Sequence, residues 1–334
     1  MQDTIEKIFS VKTFDYNRAE PCIVRETEHW AVVYKPTHLP TAPLRADERN
    51  TLVYWFLHSP EGEGDVPCDD MQTDALLDAT QIDAQEPPAE YGRDIQEVQV
   101  GNKPAIRPTG RRIREAQVRG KKAIEAGLLH RLDTDTRGLV LFAKDQAVYD
   151  FLAARQEAGQ MIKTYCAFVE PNRVPEIDNG YGFGATELSM LKELSVAQRG
   201  IAAQLPLTLE SQFRNFGPGA KRVAPVFPGS RHYKKDGRLY TTVIEAADIL
   251  PSPPLIRVRC RLSRGYRHQV RVHLAAAGLP IVGDPLYAPQ GAEAQPESAQ
   301  VSLQLYAVSL AFPDPENPRQ SIRVALLPPD KMTP

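Results

Sequence analysis

Nine residues, His130-Arg131-Leu132-Asp133-Thr134-Asp135-Thr136-Arg137-Gly138, crowd two carboxylates, two arginines and a histidine into one short segment. A carboxylate beside a guanidinium is biased toward its charged form, because the opposite charge lowers its pKa. An aspartate held that way is ready to act as a nucleophile at neutral pH. The plain alternative is a salt-bridged turn. Two further segments carry groups of the same kind. One is Lys163–Val169, with Tyr165 at its centre, and the other is Gly265–Leu274, with Arg267, His268, Gln269, Arg271 and His273. His268 and His273 are five positions apart, roughly 140° around a helix. That spacing lacks the i,i+4 geometry of zinc-binding helices, so no metal site is expected there.

Elements must hold these groups in place. Leu139–Ala143 is an apolar run and reads as a buried strand directly after the polar segment. Trp30–Tyr34 reads as a strand closed by Lys35-Pro36 and a proline-punctuated turn, and Thr51–Leu57 has the spacing of a short helix. Gln146–Gln156 is expected to be helical and Lys163–Glu170 a strand. Leu239–Ala246 and Pro254–Ser263 read as paired strands, and Arg267–Ala277 as a helix stopped by Gly278 and Pro280. Leu303–Phe312 and Ile322–Leu327 add two more strand candidates. Residues 1–28 are expected to be a short lead-in, and 171–235 a long irregular insertion. Strands and helices alternate irregularly with more strand than helix, which predicts an α+β fold with a mixed, mainly antiparallel central sheet flanked by helices and loops.

The 334-residue chain is 42% hydrophobic and 25% charged, so a substantial core is available. The formal net charge of -2 hides a local separation. Between residues 60 and 100 the acidic residues face only Arg93, as expected of an acidic insertion with little core character. Residues 103–122 reverse the sign, with Lys103, Arg107, Arg111, Arg112, Arg114, Arg119, Lys121 and Lys122 opposed by Glu115 alone. That arm is a candidate phosphate-binding surface; pairing with the acidic segment, or shielding by it, are the alternatives. Cys22, Cys68, Cys166 and Cys260 show no C-x-x-C spacing and fit a reducing compartment. No apolar run approaches the length of a membrane span, and no leader is expected at the N-terminus. A cytoplasmic protein is expected.

Together with Val33–Pro40, the three polar segments and Gly278–Tyr287 resemble the signature motifs of the RluA-type pseudouridine synthases, which isomerise uridine in structured RNA. The resemblance covers roughly residues 30–58, 127–170 and 239–328. It implies a catalytic domain over 29–330, without an S4 domain in 1–28 and with insertions at about 60–122 and 171–235. It further implies Asp133 as nucleophile, Tyr165 as the aromatic that stacks on the target base, and Arg271 as the partner that keeps Asp133 ionised. Arg131 corresponds to the residue that takes the space of the flipped base. His130, Arg137, Arg267, His268, Gln269 and Lys35 are the remaining candidates for RNA contact. The implied partner is rRNA or tRNA, bound by a monomer that uses no metal or cofactor. Asp135 is expected to be a bystander on the turn. Arg137 stands where many relatives carry serine, and Tyr266-Arg267 replaces a more usual arginine and small residue. These departures bear on which RNA is chosen. Two rival readings are a non-catalytic RNA-binding module and a glycoside or nucleoside hydrolase using Asp133 with a second carboxylate.

Overall fold

The computed structural model describes residues 5–59, 118–170, 205–250, 255–287 and 301–332. Eleven strands are found among them: β1 Ile5–Val11, β2 Cys22–Glu26, β3 Trp30–Lys35, β4 Arg137–Ala143, β5 Ile162–Val169, β6 Leu207–Phe216, β7 Arg222–Val226, β8 Tyr240–Leu250, β9 Leu255–Leu262, β10 Leu305–Pro313 and β11 Gln320–Leu326. The α-helices are α1 Leu52–His58, α2 Gln146–Glu157 and α3 Gln269–Ala276. One sheet runs in the order β2-β3-β4-β10-β5-β9-β8-β6-β7, with β11 on β10 and β1 on β11. Only β1–β11 and β4–β10 are parallel. The architecture is α+β with a mixed, mainly antiparallel sheet, as the strand-rich pattern predicts.

The central strands read as continuous apolar runs because both faces of the sheet are covered. Every residue of β4 is buried. Successive side chains point to opposite faces, so Val140 and Phe142 join the core beneath α1 and α3, with Leu52, Phe56, Val270 and Leu274. Leu139, Leu141 and Ala143 join the opposite core, with Leu152 of α2 and Tyr16. The same alternation along β5 puts Tyr165 on the α1/α3 side and Cys166 and Phe168 on the other. Helix starts follow local chemistry. Thr51 and Asp145 cap α1 and α2 by accepting from the backbone N–H groups of Tyr54 and Val148.

Two expectations need correction. Residues 5–28, the described part of the expected lead-in, belong to the fold. β1 pairs with β11, β2 pairs with β3, and the Tyr16 hydroxyl donates to the Leu327 carbonyl at 2.8 Å. Their partners lie up to about 300 positions away, and local periodicity carries no sign of such pairing. Within 171–235, the described part holds β6 and β7 rather than irregular chain. Its exposed and half-exposed Glu210, Arg214 and Asn215 mask the strand pattern. The acidic segment 60–100 and the basic arm up to residue 117 lie outside the described residues, as does the proline-rich connection 251–254.

The glycine that closes the polar segment has a steric reason. Gly138 has φ 127°, and a Cβ there would lie 2.2 Å from the backbone carbonyl oxygen of Ala307. β4 and β10 pair at this point through Tyr306–Arg137 and Ala307–Gly138. Backbone cannot yield as a flexible side chain does, so Gly138→Ala should destabilise by at least about 3 kcal/mol in urea denaturation.

Two buried histidines set an acid limit. His273 lies between the Ser211 and Thr242 hydroxyls, each 2.9 Å from a ring nitrogen, and burial pushes its pKa down to about 3. Burial, and then the Lys163 charge, hold His130 well below its ordinary value. The unfolded chain protonates both groups near pH 6.5 while the native state does not. Stability is therefore fully present above that pH and falls as the pH drops toward about 3. His273→Gln should make the decline between pH 6.5 and 5 shallower, by up to about 1.4 kcal/mol per pH unit in denaturant titrations.

Candidate active site

Asp133 sits on the turn that feeds β4, closed by the Thr136 N–H donating to the Asp133 carbonyl at 3.1 Å. The loop after β3 pins this turn. Thr41 Oγ1 donates to the Leu132 carbonyl at 2.7 Å and accepts from the Leu132 N–H at 3.2 Å. Thr37 Oγ1 donates to the Asp135 carbonyl at 3.1 Å. Lys35 Nζ, at the end of β3, donates to the carbonyls of Pro36, Leu39 and Thr134, each at 2.8 Å. Burial pushes Lys35 down to about 7, opposed by the charges of Asp133 and Asp135. Three carbonyl acceptors match the three protons of an ammonium.

Arg271 reaches Asp133 from α3. Its Nη1 donates to Asp133 Oδ2 at 3.0 Å. Its Nε and Nη2 form a fork onto Asp284, 2.8 Å to each carboxylate oxygen. Burial alone would lower the Arg271 pKa; the bonds to Asp284, and then Asp133, more than reverse this, and the guanidinium stays charged. Asp284 is itself fixed, since Oδ1 also accepts from the N–H groups of Leu286 and Tyr287. Gly283 (φ 73°) makes this possible: a Cβ there would lie 2.3 Å from the Ser302 carbonyl oxygen. The Asp133 side chain is 24% exposed, against 3% for Arg271. Asp133 Oδ1 has no hydrogen-bond partner among the described residues. One carboxylate oxygen is thus held and the other is open, the arrangement a nucleophile needs.

Tyr165 lines the same side of the sheet and is 8% exposed. Burial, and then the Asp133 charge, raise its pKa, so the phenol keeps its proton. Lys163, two residues earlier and facing the same way, is pushed down to about 8 by burial. His268 caps α3 with its Nε2 3.9 Å from Asp133 Oδ2 and its Nδ1 2.8 Å from the Tyr287 hydroxyl. The Arg271 guanidinium lies over the Tyr287 ring, 5.3 Å from its centroid.

The structure therefore brings Asp133, Arg271, His268 and Tyr165 together. Arg131 projects beside them, its side chain 60% exposed and its Nη1 4.0 Å from Glu125 Oε1. Arg267 is exposed, but its Nη2 donates to Asn215 Oδ1 and to the carbonyls of Ala220 and Arg222, clamping the β6–β7 connection. Four candidates for RNA contact are buried and face away from solvent. Lys35 is the brace described above. His130 Nε2 accepts from the Leu141 N–H at 3.3 Å. Arg137, 2% exposed, donates to Ser302 Oγ at 2.9 Å. Gln269 donates to the Thr241 carbonyl and the Thr242 hydroxyl and accepts from the Tyr266 N–H. Adjacency in sequence suggested contact, but these positions turn inward, where each side chain makes at least one hydrogen bond within the protein. Arg137 is therefore not a surface residue.

Asp135 lies 3.3 Å from His38 and makes no bond to Arg271. Sequence reasoning missed the roles of Asp284 and Tyr287. The signal was present, since Asp-Pro starting a turn commonly accepts backbone N–H groups two and three residues on. Among the described residues, no group of three or more His, Cys, Asp or Glu side chains could hold a metal ion.

Residues 100–276, more than half of the 334-residue chain, match the family described as RNA pseudouridylate synthase. An uncharacterized RNA pseudouridine synthase of Chloroflexus aurantiacus is 29% identical over 208 residues, covering 62% of this chain and 52% of that protein. RNA pseudouridine synthase 2, chloroplastic, of Oryza sativa subsp. japonica is 26% identical over 283 residues, 81% of this chain and 51% of that protein. The chain thus spans about half the length of these curated relatives. The solved structure of Human RNA Pseudouridylate Synthase Domain Containing 1 aligns at 16% identity and a TM-score of 0.46, covering 94% of this chain and 85% of that one.

Removing one partner of a buried pair strands the other charge. Asp284→Ala should cost about 3–5 kcal/mol of stability in urea titrations, and Asp284→Asn, which keeps the shape and one acceptor oxygen, should cost less.

Proposed function

The chain belongs to the RNA pseudouridylate synthase family, and from that premise we propose that it isomerises uridine in rRNA or tRNA to pseudouridine, with Asp133 as nucleophile. The observation that carries the reading is Asp133 itself, a partly exposed carboxylate held at 3.0 Å by an arginine that Asp284 locks from behind. Isomerisation breaks the glycosidic C–N bond, turns the uracil and rejoins it through carbon. A carboxylate can attack the sugar carbon, as in retaining glycosidases, or add to the pyrimidine ring. Both routes need a carboxylate held in one position, and the Arg271 contact supplies that hold.

The target base must leave its stack, at a cost of a few kcal/mol. Stacking on Tyr165 offsets about 1–3 kcal/mol of this. Arg131, exposed beside the pocket, fits the role of filling the vacated space. Further affinity comes from the basic residues of 103–122, of which Arg119, Lys121 and Lys122 are exposed. The hydrolase alternative needs a second carboxylate facing the reaction. Both oxygens of Asp284 are engaged by Arg271, and Asp135 faces His38, so neither offers that reading its partner among the described residues.

Asp133→Asn preserves the shape of the side chain but removes its charge and nucleophilicity. Tritium release from RNA labelled with [5-³H]uridine should fall by roughly 10³-fold or more, with circular dichroism and RNA binding near those of the unaltered protein. Release at the unaltered rate would remove Asp133 from the nucleophile role.

A further inference from the structure

His268 holds a left-handed backbone, φ 59° and ψ 15°, that a non-glycine residue adopts at a cost of about 1 kcal/mol or more. Its side chain makes no cap bond to α3. The ring instead ends a chain of hydrogen bonds that begins on β7. The backbone N–H of Val223 donates to the Tyr287 hydroxyl at 2.8 Å. A peptide N–H only donates, so the Tyr287 oxygen is the acceptor there. Burial pushes the Tyr287 pKa up to about 12, and the phenol keeps its own proton. His268 Nδ1, 2.8 Å from that oxygen, is placed to receive it.

An Nδ1 that accepts leaves the proton of a neutral imidazole on Nε2. Burial holds His268 below its ordinary pKa, with Asp133 and Asp284 opposing and Arg271 and Arg267 adding to the fall. Nε2 lies 3.9 Å from Asp133 Oδ2, roughly 1 Å beyond hydrogen-bond length. The donor is therefore not consumed by the nucleophile, and it lies beside its carboxylate.

We propose that His268 is a catalytic hydrogen-bond donor, aimed by a Val223–Tyr287 relay, that binds a carbonyl oxygen of the target uracil and stabilises the negative charge formed there. The role rests on the uridine-isomerisation reading. When the C1′–N1 bond breaks, its electron pair passes into the uracil ring and its oxygens, while the Asp133 carboxylate bonds to the sugar carbon. When Asp133 adds to the ring instead, the displaced pair collects on a ring oxygen as an enolate. In both cases His268 lends a hydrogen bond and keeps its proton; as C1′, freed from N1, bonds to C5, the bond to Asp133 breaks with its electron pair returning to the carboxylate, the C5 proton departs to solvent and N1 takes up a proton. A neutral donor suits the site, because an imidazolium would compete with Arg271 for Asp133.

Imidazole ¹⁵N NMR of the unaltered protein at pH 7, with the His268 signals identified by their loss in His268→Gln, should show the proton on Nε2 and a lone pair on Nδ1. Tyr287→Phe keeps the ring over Arg271 and removes only the hydroxyl. It should shift His268 toward a tautomer mixture and slow single-turnover tritium release by about 10-fold, with the half-saturating enzyme concentration little changed. His268→Ala should slow release by about 10²–10³-fold, and His268→Gln, which restores an N–H donor, should recover part of that loss. A proton on Nδ1 in the unaltered protein would overturn the relay. Release by His268→Ala at the unaltered rate would overturn the donor role. Absence of tritium release from the unaltered protein would overturn the isomerase reading and this role with it, and the NMR result would still decide the relay on its own.

Discussion

Arg271 is one cation between two carboxylates, and the rest of the site is arranged around it. Its fork is committed to Asp284, which leaves the Nη1 group for Asp133. A guanidinium 3% exposed loses most of its hydration, and only paired and well-aligned acceptors offset that cost. Asp284, fully buried at its side chain and tied to two backbone N–H groups, supplies most of the compensation. Asp133 can therefore remain partly exposed and half free. The division of labour explains why two acidic groups contact the same arginine: one anchors it and the other is presented by it.

That constraint reaches into the sheet. Arg271 comes from α3, Asp284 from the loop after it, and Asp133 from a turn more than a hundred residues earlier. Their meeting depends on β4 lying beside β10, a contact close enough that Gly138 leaves no room for a Cβ. It depends equally on Gly283, which lets the Asp284 loop press against Ser302 just ahead of β10. The loop after β3 then closes the turn from the other side through Lys35, Thr37 and Thr41. Glycines and buried polar braces here serve position rather than reaction. A carboxylate displaced by 1 Å would lose its alignment with both arginine and substrate.

Burial on both faces also explains the polar residues that turned inward. His130, Arg137 and Gln269 adjoin the reactive groups in sequence, yet each is buried and bonded to backbone or hydroxyl partners. Such groups cost free energy unless satisfied, and satisfied they hold neighbouring segments in one arrangement. Gln269 ties the start of α3 to β8, and Arg137 ties the start of β4 to the residues just before β10. Through them the positions of His268 and Asp133 are coupled to the strands.

Much of this was legible in the residues themselves. The apolar runs at β3, β4, β5 and β10 are local signals, because strand burial shows in residues close in sequence. The RluA-type motifs likewise singled out Asp133 with Arg271, and the structure places them in contact. The pairing of β1 with β11 was not legible, nor was the strand character of β6 and β7, since their partners and exposed faces are set by distant chain. Nor could sequence order separate Arg131, which projects outward, from His130 beside it, which points into the core. Residue types and spacing determined which chemistry this protein can attempt and most of the elements that carry it. Only the tertiary structure decided which charges meet, which are buried and which nitrogen of His268 meets Tyr287, because burial and contact are properties of three-dimensional neighbours.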